Sequence, residues 1–359
     1  MRPVPCRLWL VFASLSFALS APPPASAEEL LLSGSSMLTP LEKSWVSAYV
    51  REHPARPVKV RASGSGIGVR SASGGRASIG ASDIPLTSRE KAKEGGIVAI
   101  PVALSAVVVA VNLPSLPSGT TLRLDGPLLA RLFAGRIRFW DDPALLAANP
   151  GLSLPHLAIR PIHRTDLSGT TFLFTSYLTR SSVLWRESFG TEDLPSWPGG
   201  SEGAAGSEAL RSRLLETPGA VGYLGLGWVL GSSLLRASLK NDRGEFVAPS
   251  QAAVRRAGEG LGPEPDFPEG FDRSIVGGAS PGAYPIAGVE LWTVNPNLPE
   301  ETMRDVRDLL LFVLTRGQEP SFTEKNGFAS LPGVPGKIRL RQLLRELFPG
   351  NAFRPTTGG

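Results

Sequence analysis

The sequence predicts an α/β fold, and two observations support this prediction. Short apolar segments rich in β-branched residues, which are typical of buried strands, alternate along the chain with segments of helical periodicity. The chain has 359 residues, 42% of them hydrophobic, and is long enough to form two domains. Strands that alternate with helices favour a sheet whose strands are connected by helices.

The N-terminal part already shows this alternation. We expect a strand over Glu29–Ser33, a helix over Thr39–Glu52 and a second strand over Val58–Val60. A stretch rich in Ser and Gly, Ala62–Gly68, follows the second strand. The run Ile97–Asn112 is almost continuously apolar and β-branched, and it predicts a central pair of strands.

The alternation continues through the rest of the chain. The predicted elements are helices over Leu128–Ala134, Thr170–Thr179, Thr302–Thr315 and Ile338–Leu347, and a strand over Val289–Asn295. The Gly-, Ser- and Pro-rich stretches Trp197–Gly206 and Gly258–Gly282 predict loops. The scattered tryptophans are expected to pack in the core; they are Trp45, Trp140, Trp185, Trp228 and Trp292.

The first residues have the pattern of a signal peptide, which we place at 1–27. Arg2 and Arg7 give a positive start, Leu8–Ser20 is a short apolar stretch, and Ala25–Ala27 is a small-residue cleavage site. The apolar stretch is shorter than a bilayer requires. The mature protein is therefore expected to be exported and soluble.

Composition excludes several classes of function. The only cysteine, Cys6, lies in the expected leader, so the mature chain offers no disulfide or thiolate. The net charge of +5 is dispersed, whereas a nucleic-acid surface needs clustered basic residues. The histidines His53, His156 and His163 lack metal-ligand spacing, and no metal site or catalytic motif is found. We expect no cofactor and no enzyme.

Three segments share the pattern of a strand end, a Ser/Gly turn and a helix start. They are Gly34–Met37, Gly64–Gly68 and Asp166–Thr170. Helix N-termini expose unpaired backbone N–H groups and carry partial positive charge, so several of them together can bind an anion. One such segment alone is an ordinary helix cap. Three of them predict an anion site.

Charged residues narrow the chemistry of this site. Arg164 can bind two oxygens of one tetrahedral anion, unless it only pairs with Asp166 at the surface. Asp83, which follows Ser82, would repel an anion unless the ligand carries a proton that the carboxylate accepts. Hydrogenphosphate carries such a proton and sulfate does not, although Asp83 could also be a simple cap.

The same segments resemble a known family. The stretches A-S-G-S-G-I-G, I-G-A-S-D-I-P-L and R-T-D-L-S-G-T-T-F occur in this order. They resemble the substrate-binding proteins of high-affinity phosphate ABC transporters, over about residues 31–347. The resemblance implies a ligand site formed by Ser36, Met37, Ser65, Asp83, Arg164, Ser168, Gly169 and Thr170, supported by Ser82 and Asp166.

The sequence departs from the family pattern in three places. The first loop has Ser36-Met37-Leu38 where T-F-P is usual. The second has Gly66-Ile67 where a Ser-Gly pair is usual, and Leu167 stands where the family commonly has Gly. Ser36 keeps a hydroxyl, and the contact expected of Met37 is made by its main chain.

The resemblance also implies a fold and a role. The fold would be a two-lobed, type II-like periplasmic-binding-protein fold, with a two-strand hinge and a ligand cleft between the lobes. Lobe I would combine 28–103 with 285–359, and lobe II would be 104–284. The protein would bind inorganic phosphate in the periplasm, as a monomer, and deliver it to inner-membrane ABC permease subunits.

Three alternatives stay open at this point. The chain could bind another oxyanion, such as sulfate or molybdate, although Asp83 disfavours anions without a proton. It could be a phosphatase-like enzyme, although no activated nucleophile is found. It could also keep the fold without the ligand, since Met37 and Leu167 depart from the family pattern.

Overall fold

The computed structural model describes residues 29–117, 119–262 and 267–349. The expected signal peptide and Cys6 lie outside the described residues. No helix in the described ranges is long and apolar enough to cross a membrane.

Strands and helices alternate along most of the described chain. The strands are Leu30–Gly34 (β1), Val58–Ala62 (β2), Ile79–Ser82 (β3), Val98–Val111 (β4), Arg123–Leu124 (β5), Arg160–Arg164 (β6), Glu202–Ala204 (β7), Ala220–Gly225 (β8), Leu235–Arg236 (β9), Ser238–Lys240 (β10), Phe246–Val247 (β11) and Ala287–Val294 (β12). The helices are Thr39–Glu52 (α1), Ser65–Ser73 (α2), Ser88–Lys93 (α3), Gly126–Phe133 (α4), Pro143–Ala148 (α5), Gly169–Ser181 (α6), Val183–Ser188 (α7), Gly206–Glu216 (α8), Leu226–Val229 (α9), Gln251–Gly258 (α10), Glu300–Leu314 (α11) and Lys337–Leu347 (α12).

Most strands belong to one mixed sheet, in the order β2-β1-β3-β12-β4-β8-β6-β7, with β9 beside β4. Within one half, β1 is parallel to β2 and β3; within the other, β6 is parallel to β7 and β8. β12 is antiparallel to both β3 and β4. The two parallel groups therefore lie on opposite sides of the β12–β4 pair. A small separate sheet has the order β11-β10-β5.

The strand β4 joins the two halves of the sheet. Its first part, Val98–Ala106, pairs with β12, and its second part, Val107–Val111, pairs with β8. Thirteen of its fourteen residues are buried, because both faces of the strand are covered. The apolar run predicted as a strand pair is thus one long strand, and this part of the prediction is wrong. Pro101 stands within the run, but it lies where the pairing with β12 shifts register, and the strand continues through it without a turn.

Each half has its own aromatic packing. In the first half, Trp45 of α1 meets Trp292 of β12 edge to face, with ring centroids 5.7 Å apart. In the second half, Phe174 of α6 stacks on Tyr223 of β8 at 4.4 Å, and Phe133 of α4 packs on Phe174 at 4.8 Å. These large side chains anchor α1 in the first half, and α4 and α6 in the second, to the sheet.

Most predicted elements are found near the predicted boundaries. The helix over Thr39–Glu52 is confirmed with both ends, since Pro40 suits a first turn and the apolar spacing is helical. The stretch Trp197–Gly206, predicted as a loop, contains β7 and is corrected to a strand that leads into α8. Gly258 ends α10, and the described residues after it, up to Gly282, contain two short 3₁₀ turns and no strand.

Candidate functional site

The candidate site lies where the carboxyl ends of strands from both halves meet. Ser36 and Met37 follow β1, Ser65 begins α2 after β2, Asp83 follows β3, Arg164 ends β6, and Gly169 and Thr170 begin α6. Ligands of open α/β sheets bind at carboxyl ends of strands, where helix N-termini point toward them. The structure thus brings the predicted segments to one place.

Ser65 connects the two halves through its hydroxyl. Its Oγ accepts the backbone N–H of Gly169 at 3.2 Å and that of Asp83 at 3.3 Å. A serine hydroxyl has two acceptor lone pairs and one donor hydrogen, so both lone pairs are engaged and the hydrogen is left to donate. The Ser168 hydroxyl likewise accepts the Thr171 N–H at 3.1 Å and retains its own hydrogen. These hydroxyls suit an anion.

Close approach at this point requires a glycine. A Cβ on Gly169 would lie 2.6 Å from Ser65 Oγ and 2.7 Å from Asp83 Cβ, which no real Cβ tolerates. The N-terminus of α6 can therefore reach Ser65 and Asp83 only because residue 169 has no side chain.

Arg164 is held rigidly although it is almost fully buried. Its Nε donates to Asp166 Oδ1 at 2.7 Å, and its Nη2 donates to Oδ2 at 2.5 Å. Its Nη1 donates to Ser207 Oγ at 3.3 Å. Within the part of the chain that the structure describes, three of the five guanidinium N–H groups are thus engaged, which leaves two to bind another acceptor. The surface ion pair considered above is instead one between a buried Arg164, only 2% exposed, and a half-buried Asp166.

The carboxyl group of Asp166 is matched to this cation. Although partial burial favours the neutral acid, the Arg164 guanidinium and the Gly206 N–H hold the pKa of Asp166 below its ordinary value. The Gly206 N–H donates to Asp166 Oδ1 at 3.0 Å. Asp166 therefore remains ionised and orients the guanidinium.

Asp83 is a buried carboxyl group beside the hydroxyls. It is 1% exposed, and its Oδ2 accepts the Thr170 hydroxyl at 3.1 Å. Burial raises the pKa of Asp83, and the hydroxyls of Ser35 and Thr170 and the charge of Arg164 oppose this rise. Asp83 can therefore accept a proton from a bound anion more readily than an exposed aspartate could.

The remaining predicted residues lie close by in different roles. Ser36 Oγ bonds to Ser207 Oγ at 2.8 Å across the two halves. The Met37 side chain is buried, and its N–H donates to Ser35 Oγ at 3.1 Å. Ser82 Oγ accepts the Ile84 N–H at 3.0 Å and so stabilises the turn that follows β3.

The sequence departures at Gly66 and Leu167 lie in contact with each other. The Gly66 N–H donates to the Leu167 carbonyl at 3.4 Å, and a Cβ on Gly66 would come within 3.1 Å of Leu167 Cβ. A glycine at 66 therefore makes room for a leucine at 167. No non-glycine residue in the described ranges has a positive φ, so Leu167 adopts an ordinary backbone conformation without a glycine.

Sequence reasoning missed two residues of this site. Ser207, at the start of α8, contacts both Ser36 and Arg164, and Trp228 Nε1 donates to the Ser36 carbonyl at 3.0 Å. Both line a cleft of about 370 Å³. The signal for Ser207 was present, because Gly206-Ser207 repeats the turn pattern of the other segments. Ser207 lacked the preceding strand of that pattern, because the stretch 197–206, which contains β7, is predicted as a loop.

A third carboxyl group lies behind Asp83. Glu42 of α1 is buried, and Trp292 Nε1 donates to its Oε1 at 3.1 Å. Burial, together with the nearby Asp83 charge, raises the pKa of Glu42 to about 8, and the Trp292 hydrogen bond only partly offsets this. Glu42 is therefore a neutral acid at pH 7.

We expect Glu42→Gln to raise the free energy of unfolding at pH 7 by about 2 to 3 kcal/mol. The wild-type carboxyl group titrates near 4.5 when unfolded and at about 8 when folded. Below pH 4.5 the group is protonated in both states and does not lower the free energy of unfolding. As the pH rises from 4.5 to about 8, the free energy of unfolding falls, because the carboxyl group ionises in the unfolded chain but not in the folded one. Denaturant unfolding at pH 5 and pH 8 tests this, with exposed Glu187→Gln as the control. An unchanged pH 5-to-pH 8 difference in Glu42→Gln would contradict it.

The chain is similar to known substrate-binding proteins. A family model of the PBP superfamily domain matches residues 19–291. The phosphate-binding protein PstS of Xylella fastidiosa (strain Temecula1) is 35% identical over 253 residues, which cover 70% of this chain and 68% of that protein. The chain belongs to the phosphate-binding protein family of the PBP superfamily. PstS of Methanocaldococcus jannaschii is 30% identical and aligns with 83% of this chain and 81% of its own.

Solved structures agree on the fold of this family member. A phosphate-binding protein from Stenotrophomonas maltophilia superposes with a TM-score of 0.68 and 19% identity, covering 89% of this chain and 94% of the other. A periplasmic phosphate-binding protein solved with bound phosphate gives 0.67 at 19% identity, covering 89% and 93%. The predicted family and the two-lobed periplasmic-binding-protein fold are confirmed.

Proposed function

We propose that the protein binds inorganic phosphate, as hydrogenphosphate, at the site around Arg164 and Asp83, for uptake by an ABC transporter. A buried arginine, two of whose N–H groups have no acceptor among the described residues, lies in one site with a buried carboxylate. The arginine attracts any tetrahedral anion, whereas the carboxylate requires an anion that brings a proton. Hydrogenphosphate meets both requirements.

The proposed ligand contacts come from the turns after β1, β2, β3 and β6 and from the first residues of α6. Arg164 binds two ligand oxygens, Ser65 and Ser168 donate through their hydroxyls, and Asp83 accepts the ligand proton. The N-terminus of α6, at Gly169 and Thr170, adds backbone donors and partial positive charge. Ser36 and Ser207 close the site from opposite sides, and no cofactor is needed.

The domain boundaries belong to the same proposal. Lobe I would combine 28–103 with 285–359, and lobe II would be 104–284. The change of pairing partner along β4, between Ala106 and Val107, supports a boundary close to residue 103. β4 and β12 would then form the two-strand hinge, about which the lobes close on the ligand.

The cellular role is carried over from the relatives. Proteins named PstS and phosphate ABC transporter substrate-binding proteins are among them. We propose that the mature chain works as a monomer in the periplasm and presents phosphate to inner-membrane permease subunits. A binding role without catalysis accords with this assignment.

Calorimetric titration tests the ligand. The phosphate-stripped mature protein should bind one phosphate tightly at pH 8 and should give no heat with sulfate under the same conditions. Tight binding of this kind would support the roles of Arg164 and Asp83 together. No heat with phosphate, or equal binding of sulfate, would refute the proposed function.

A further inference from the structure

Glu290, in the middle of β12, is fully buried in the protein interior. Its exposure is 0%, and neither carboxyl oxygen has a hydrogen-bond partner among the described residues. An ionised carboxylate in such a place is strongly disfavoured, so a buried glutamate here calls for a physical reason. A hydrophobic residue would fill the same space without this penalty.

The strand register places Glu290 against the binding site. β12 runs antiparallel to β3, with Leu291 paired to Ser82 and Trp292 to Ala81. Glu290 therefore lies opposite Asp83, one position beyond the end of β3. Residues directly opposite in antiparallel strands point to the same face and have Cβ atoms about 4.5 to 5.5 Å apart. Two carboxyl groups are thus neighbours in the protein interior.

The surroundings decide which of the two carries the proton. Burial and the nearby charge of Asp83 raise the pKa of Glu290 well above its ordinary value, and Glu42 adds to the rise from α1. The nearby Ser105 hydroxyl of β4, which donates to the Gly288 carbonyl at 3.5 Å, opposes this rise in the pKa of Glu290 only in part. On the other side, Asp83 receives the Thr170 hydroxyl and the attraction of Arg164. Of the two, Glu290 is the one that remains a neutral acid.

We propose that Glu290 is a positioning residue for the ligand, whose carboxylic acid O–H donates a hydrogen bond to Asp83 and holds that carboxylate ready to accept the proton of phosphate. Asp83 Oδ2 already accepts from Thr170, whereas Oδ1 is buried with no partner among the described residues. A carboxylate has about four lone-pair sites, so it can accept from Thr170, Glu290 and the ligand together. The inference rests on the proposed function.

Two variants separate the donor role from simple packing. Glu290→Gln keeps a donor in the same shape, whereas Glu290→Met keeps the length and loses the donor. We expect the methionine variant to bind phosphate about tenfold more weakly, because a hydrogen bond to a charged group is lost. Asp83 would also take up a proton more readily and could then donate to sulfate. The phosphate-to-sulfate affinity ratio should therefore fall, and the glutamine variant should keep it.

The measurement is calorimetric titration of wild type and both variants with phosphate and sulfate from pH 5 to pH 9. Support requires that the methionine variant loses phosphate binding on acidification at a pH about one unit higher than wild type does. A wild-type ratio and pH profile in Glu290→Met would overturn the inference. So would a glutamine variant as impaired as the methionine variant, or an equal loss of both anions.

The wild-type titration keeps the two proposals apart. Wild-type protein that binds no phosphate refutes the proposed function and the role of Glu290 with it. Wild-type protein that binds phosphate and excludes sulfate, beside an unchanged Glu290→Met, refutes the role of Glu290 alone. Thermal unfolding of each variant confirms that the binding data come from folded protein.

Discussion

Replacing Arg164 with alanine should weaken the binding of both phosphate and sulfate by about a hundredfold or more. The guanidinium is 2% exposed and is held by Asp166 and Ser207, so its two remaining N–H groups need no reorganisation to bind an anion. Removing it also leaves the Asp166 charge without its partner beside an anionic ligand. Calorimetry with both anions measures the loss.

The chain offers a matched control for this variant. Arg180, near the C-terminal end of α6, pairs with Asp242 through its Nε and Nη2, but its side chain is 56% exposed. Arg180→Ala removes the same kind of ion pair far from the solvent-excluded site, where such pairs contribute little. It should leave both affinities unchanged. An Arg164→Ala protein that binds phosphate as well as Arg180→Ala does would show that the site lies elsewhere.

Replacing Asp83 with asparagine should remove most of the discrimination between phosphate and sulfate. The wild-type carboxylate can only accept, so it repels an oxygen without a proton, whereas an asparagine amide can donate to that oxygen. We expect the phosphate-to-sulfate affinity ratio to fall by about a hundredfold, through tighter sulfate and weaker phosphate binding. Competitive titration at pH 8 measures the ratio directly.

Asp166→Asn is the contrasting variant for Asp83→Asn. Asp166 is also an acidic residue of the site, but it accepts hydrogen bonds from Arg164 and holds the guanidinium in place. Its loss should weaken the binding of phosphate and of sulfate by similar factors and leave the phosphate-to-sulfate affinity ratio unchanged. Selectivity that survives in Asp83→Asn, or that falls equally in Asp166→Asn, would assign the discrimination to something other than the Asp83 carboxylate.

Local patterns predicted most of the fold, because the hydrophobic periodicity of helices and buried strands is visible within a short stretch of sequence. The helix over Thr39–Glu52 is such a case, with both ends readable. The error at Ile97–Asn112 has a physical cause. An apolar run shows that a strand is buried on both faces but not how many partners it has, and β4 changes partner from β12 to β8 without a turn.

Some residues of the site could be predicted from neighbouring sequence, whereas others depend on strand pairing between distant parts of the chain. The turn motifs lie next to their own helices, so Ser65, Asp83 and Arg164 could be chosen from sequence. Glu290 could not, because its place opposite Asp83 depends on the antiparallel register of β12 and β3, which are about 200 residues apart in the chain. In the sequence V-E-L-W, the alternation of polar and apolar residues predicts that Glu290 faces solvent.

Trp228 is half-buried and lines the cleft of about 370 Å³. Its indole bonds to the Ser36 carbonyl across the cleft, whereas Trp45, Trp140, Trp185 and Trp292 are fully buried in the core. The chain therefore carries a natural fluorophore at the junction of its two halves, whereas the four buried tryptophans emit from inside the core. A reagentless optical sensor for phosphate could be built on this protein without attaching a dye.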